Sequence, residues 1–156
     1  MIHELRKLSE EEMEVLIKAP LLVSILIAGA DGEIDRDEID GAISAAKKKA
    51  KSQTSLQSYY ESVSQDFEDK LKVLLQHYPS KPHLRAVSIS KELARLNPIF
   101  AKVQGSLAIE IYESLLSLAL NIAKSSGGFF GLSSIGEEEA KLVKLEMIKP
   151  PADPNK

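Results

Sequence analysis

Apolar residues recur at helical spacing along most of this chain, and this pattern predicts an all-α fold. Ser9 and Glu12 form a capping box at the start of the first predicted helix. Pro20 lies inside that helix and has no backbone N–H, so we expect a kink or a break into two helices there. A second capping box, formed by Asp35 and Glu38, begins the next predicted helix.

The middle of the chain predicts three further helices. Apolar steps of three and four over residues 56–78 indicate one long helix, which Pro79 ends. Another helix begins near Pro82, and Asn97 with Pro98 then supplies a cap and a first-turn proline for the one that follows. That helix carries too many apolar residues for one face, which predicts packing on several sides and makes it the candidate central helix.

The domain organisation follows from length and from the two ends of the chain. With 156 residues the chain is long enough for about one domain. A capping box at Ser134 begins a last helix that ends before Pro150. We expect a leader over residues 1–8, a single compact domain of about six or seven helices over residues 9–149, and a mobile tail over residues 150–156.

The two halves of the chain also share a weak internal two-fold repeat of helix, acidic turn and helix. Residues 28–38 align with residues 123–139 if the segment around Phe129 and Phe130 is an insertion. Ser126 then occupies the position of the first acidic residue, Asp31. A chance likeness between two capped helix starts explains the same pattern.

Charge and cysteine content narrow the function classes. The net charge is −3, which gives no global positive field for nucleic acid, and no cysteine is present to form a disulfide or a Cys-ligated metal site. The longest apolar run, residues 19–30, is too short to span a bilayer. We therefore expect a cytoplasmic protein with no nucleic-acid partner and no membrane insertion.

The most informative segment is an acidic turn that concentrates oxygen ligands of the kind that hard cations prefer. Its carboxylates belong to Asp31, Glu33, Asp35, Asp37 and Glu38. Aligned with an EF-hand loop, the segment matches the later ligand positions, but Ile27 and Gly29 occupy the first and third. The segment is therefore not an EF-hand.

The sequence Ala-Asp-Gly-Glu-Ile-Asp-Arg-Asp-Glu-Ile over residues 30–39, with Ser-Gly-Gly-Phe-Phe-Gly over residues 126–131, resembles the TerB-like family named for tellurite resistance. The resemblance implies an all-helical, non-enzymatic module associated with stress responses. It also implies that the module binds a divalent cation such as calcium weakly, and that cation binding is coupled to the binding of a protein partner. Carried over to this sequence, the ligands are Asp31, Asp35 and Glu38, with Glu139 as the counterpart from the second half.

A purely structural role explains the same acidic residues. Asp31 and Gly32 form the turn, Asp35 caps the next helix, and Glu38 completes the capping box near the positive helix end. None of these roles requires a metal.

Phe129, Phe130 and Leu132 supply the alternative function, a metal-independent interaction or homodimerisation module. Two phenylalanines between glycines in a short loop cannot easily both face the core, so one is a candidate anchor for a partner or for a second copy. The competing explanation is that both phenylalanines fill a gap between helices. The sequence contains no nucleophile elbow, no phosphate-binding loop and no dinucleotide fingerprint, so we expect no catalytic residue.

Overall fold

The fold is built around its first long helix, α1 (Glu10–Ala28). The computed structural model describes residues 3–30, 34, 36–52, 54–125, 140 and 142–152. Ser9 caps α1 as predicted: its hydroxyl accepts from the Glu12 N–H at 3.1 Å, and the Glu12 carboxylate accepts from the Ser9 N–H at 3.0 Å. Every residue from Leu21 to Ala28 is buried, because the other helices surround this half of α1.

The described residues form an all-α fold, as predicted, and contain no strand. After a short 3-10 helix at His3–Leu5, the remaining helices are α2 (Arg36–Lys51), α3 (Gln57–Ser64), α4 (Phe67–His77), α5 (Pro82–Ala94), α6 (Leu96–Phe100) and α7 (Leu107–Ser125). None of these helices combines the length and the apolar character needed to cross a membrane.

Of the two outcomes expected at Pro20, a kink or a break, the break does not occur, because α1 continues through Pro20 as one helix. In an unbroken helix the N–H of residue 20 would donate to the carbonyl of Leu16, and proline has no such proton. The Tyr59 hydroxyl, from α3, donates to the Leu16 carbonyl instead, at 2.7 Å. A distant side chain thus replaces the backbone hydrogen bond that Pro20 removes. Burial raises the pKa of Tyr59 well above its usual value, which keeps the hydroxyl a donor.

The predicted single helix over residues 56–78 is wrong, because the chain breaks between α3 and α4. Gln65 is extended and Asp66 adopts a left-handed conformation with φ of 53°. The break allows α3 to pack against α2 while α4 packs against α1. Phe67, the first residue of α4, is buried by this arrangement.

The prediction of a central helix after Pro98 is also wrong. Asn97 lies within the short helix α6, and Gly105, with φ of 65°, lies in the connection before α7. The core of the fold instead surrounds α1, and α7 leaves Leu120 38% exposed.

The chain before Pro150 is not helical beyond residue 142, so the last predicted helix ends well before that proline. Residues 143–152 form turns and irregular backbone, and Leu145 is buried in a left-handed conformation with φ of 47°. The Asn97 side chain holds this segment by donating to the Met147 carbonyl at 3.1 Å and accepting from the Lys149 N–H at 2.8 Å. Buried Leu145 and Ile148 attach the segment to the core without helical structure.

Candidate functional site

Most of the predicted site residues lie outside the residues that the structure describes. These are the ligand candidates Asp31, Asp35 and Glu139, the partner-binding candidates Phe129, Phe130 and Leu132, and the second copy of the repeat over residues 126–139. Glu38 is described, and its side chain is buried in the first turn of α2 with 1% exposure. The proposed ligand set therefore stays a prediction.

A buried arginine lies where α1 ends and the acidic turn begins. The Arg85 guanidinium, from α5, donates to the Gly29 carbonyl at 2.9 Å and to the Ser80 carbonyl at 3.3 Å. Arg85 is only 6% exposed, and burial lowers its pKa below the usual arginine value. The guanidinium thus places a positive charge against the C-terminal carbonyls of α1, where the helix dipole favours a cation.

In the described part of this region, the Arg85 guanidinium lies at the start of the acidic turn, to which the resemblance assigns a metal ion. A calcium ion needs six to eight oxygen ligands, and the Gly29 carbonyl already accepts from Arg85. A Cβ atom added to Gly29 would lie 2.3 Å from the Arg85 Nη2 atom and 2.8 Å from the Ile34 Cδ1 atom, so these two side chains pack closely against Gly29. A divalent cation here would also face a like charge. The end of α1 is therefore packed and already holds its own cation.

An open groove lies between α1 and α4 and extends along α1 from Met13 to Leu21. Its volume is about 540 Å³, and apolar side chains form its floor: Met13, Ile17, Leu21 and Leu74. Leu21 is fully buried, whereas the other three are half-buried. Val73 borders the groove and is 62% exposed, which makes it the most exposed large aliphatic side chain among the described residues.

Charged side chains of both signs surround this apolar floor. Glu14 and Lys18 line the groove from α1, and Asp69 and Lys70 line it from α4. Lys18 also forms an ion pair with Glu92 of α5 at 3.3 Å. An apolar centre with a charged rim is the general anatomy of protein interfaces.

Contacts on both sides of α4 fix the shape of the groove. Phe67 and Leu71 anchor α4 in the core. Arg36 of α2 donates to the Glu68 carboxylate at 2.8 Å and also pairs with Asp40 at 3.0 Å. Its hydrogen bond and charge lower the pKa of Glu68. The groove is therefore formed by the fold itself.

The sequence carried one signal for this groove that the prediction did not use. Val73 lies off the apolar stripe that Leu71 and Leu74 continue, at a position where helical spacing directs a side chain to solvent. Arg85 and Tyr59 gave no comparable signal, because their carbonyl partners lie 56 and 43 residues away.

Comparisons with family models, with curated proteins and with solved structures gave no match to this chain. The TerB-like resemblance therefore rests on the quoted motifs alone.

Proposed function

We propose that this protein is a protein-interaction module that accepts apolar side chains of another protein in the groove between α1 and α4. The observation that supports this proposal most directly is the exposure of Val73 beside an apolar floor. Burying exposed aliphatic surface is favourable by about 25 cal/mol per Å², so this surface gains from being covered.

The chemistry of the groove favours binding over catalysis. The side chains of its floor, Met13, Ile17, Leu21 and Leu74, carry no acid, base or nucleophile. The groove follows successive turns of two helices, which suits an amphipathic helix with apolar residues three or four positions apart.

The stress-associated, cation-binding function implied by the TerB-like resemblance stays a separate prediction. The Arg85 guanidinium at the start of the acidic turn argues against it, because it occupies the Gly29 carbonyl and contributes a like charge. The Phe129 and Phe130 loop likewise stays a predicted contact surface.

Peptide display against the purified protein tests the proposed function. We expect selection to enrich sequences with apolar residues at helical spacing, which bind the wild type and bind Val73→Glu at least about tenfold more weakly, a change of about 1.4 kcal/mol. Leu120→Glu is the matched control, because it also places a carboxylate on an exposed aliphatic position, but on α7. Enriched peptides that bind all three proteins equally, or no enrichment at all, would contradict the proposal.

A further inference from the structure

We propose that the occupant of the α1/α4 groove is a second copy of this chain, and that the two copies pack groove to groove around a two-fold axis. This inference rests on the proposed interaction function and names its partner. In a symmetric dimer the same patch serves both subunits, so the patch must complement itself in shape and in charge.

The shape of the patch meets the first requirement. A self-complementary surface needs both a depression and a projection, and α4 supplies the projection. Val73 stands beside the groove with most of its side chain exposed, while Ile17 and Leu21 form the floor next to it. Two copies facing each other can each insert Val73 into the groove of the other.

The charges of the rim meet the second requirement. Each of the two helices contributes one acidic and one basic residue, so the rim has no net charge: Glu14, Lys18, Asp69 and Lys70. When two copies of α1 lie antiparallel with the axis midway between Glu14 and Lys18, Glu14 of one copy faces Lys18 of the other, whose ammonium also pairs with Glu92 of its own chain at 3.3 Å. A rim of one sign would repel its own copy, whereas this balanced rim attracts it.

The size of the patch indicates a weak dimer. Stable complexes bury about 800 Å² on each partner, and the groove together with the exposed Val73 covers a small part of that area. We therefore expect association in the micromolar range or weaker, exchanging rapidly between monomer and dimer.

Sedimentation velocity over a concentration series tests this inference directly. The wild type is expected to show a concentration-dependent dimer, Val73→Glu to weaken it at least about tenfold, and Leu120→Glu to leave it unchanged. Circular dichroism of each variant confirms that the fold is retained.

Rim variants of opposite charge then test the two-fold arrangement. The basic variant is Glu14→Lys with Asp69→Lys, and the acidic variant is Lys18→Gln with Lys70→Glu. Glutamine replaces Lys18 because a glutamate there would face Glu92. Each variant alone is expected to be monomeric, and an equimolar mixture is expected to form a heterodimer.

Three results would overturn the second copy as the occupant. They are a wild type that stays monomeric to about 1 mM, a dimer that Val73→Glu leaves intact, and a mixture of rim variants that does not associate. If displayed peptides still require Val73, the interaction function stands and only the identity of the partner is wrong. If the peptides fail as well, the interaction function is contradicted too.

Discussion

The two halves of α1 border two different kinds of surface. At its C-terminal end, the Gly29 carbonyl contacts the buried Arg85 guanidinium, and a Cβ atom added to Gly29 would clash with that guanidinium. Along its N-terminal half, Ile17 lines an open apolar groove of about 540 Å³ beside an exposed Val73.

The difference teaches that the density of candidate ligands in a sequence is a poor guide to open surface. The carboxylates of the acidic turn are the densest group of candidate ligands in the sequence. In the structure, the Arg85 guanidinium of α5 already lies at the start of that turn. The groove carries no motif, and its one sequence signal is an aliphatic residue off the apolar stripe. An available binding surface is created by how α4 packs against α1.

The largest expected effect comes from removing the positive charge of Arg85 at the C-terminal end of α1. Arg85→Met leaves the carbonyls of Gly29 and Ser80 without their donor, and we expect the free energy of unfolding to fall by about 2–3 kcal/mol. Chemical denaturation monitored by circular dichroism measures this loss. Arg95→Met is the control, because Arg95 forms only exposed ion pairs with Glu11 and Glu92, which contribute little. Equal losses in the two variants would show that Arg85 does not close the end of α1.

A smaller effect is expected from removing the hydrogen bond that Tyr59 of α3 donates to α1 beside the groove. Tyr59→Phe removes the donor to the Leu16 carbonyl and should lower the free energy of unfolding by about 1–2 kcal/mol. Pro20→Ala restores a backbone N–H to the same carbonyl, so Tyr59→Phe should cost less in that background. A double-mutant cycle measures the coupling. Purely additive losses would mean that Tyr59 does not compensate for Pro20.

The smallest expected effect is the change that an added cation makes to the thermal unfolding midpoint through the C-terminal end of α1. A site filled to about 100 times its dissociation constant would add about 2.7 kcal/mol, which raises the unfolding midpoint by several degrees. Because Arg85 occupies the Gly29 carbonyl, we expect millimolar calcium to move the midpoint by less than about 1 °C. A rise of several degrees in thermal unfolding that disappears in Glu38→Gln would instead support the cation site that the resemblance implies.

Local signals predicted much of the fold correctly. The capping box of Ser9 and Glu12 marks the start of α1, and the first-turn proline Pro82 marks the start of α5. These helix starts depend on residues within one helical turn, and for that reason a local sequence pattern is enough to predict them. Both α2 and α5 also bury apolar residues at helical spacing, among them Ile39 and Ile89.

The errors arose where distant packing decides the outcome. Asp66 adopts a left-handed conformation without glycine or proline to signal it, and the break there lets α3 pack against both α2 and α1 while α4 packs against α1. Pro20 leaves α1 unbroken because of a hydroxyl 43 residues away. The α4 side of the groove begins directly after the same break, at Asp69 and Lys70. The ligand candidates Asp31, Asp35 and Glu139 and the phenylalanine loop remain predictions.

Methyl and amide NMR spectra over a dilution series of the wild-type protein test the central claim most directly, since they locate the surface through which the protein makes contact. We expect shifts that grow with concentration at Met13, Ile17, Val73 and Leu74, with no change at Leu120. Shifts confined to other surfaces, or spectra that stay identical up to about 1 mM, would contradict self-association through the groove.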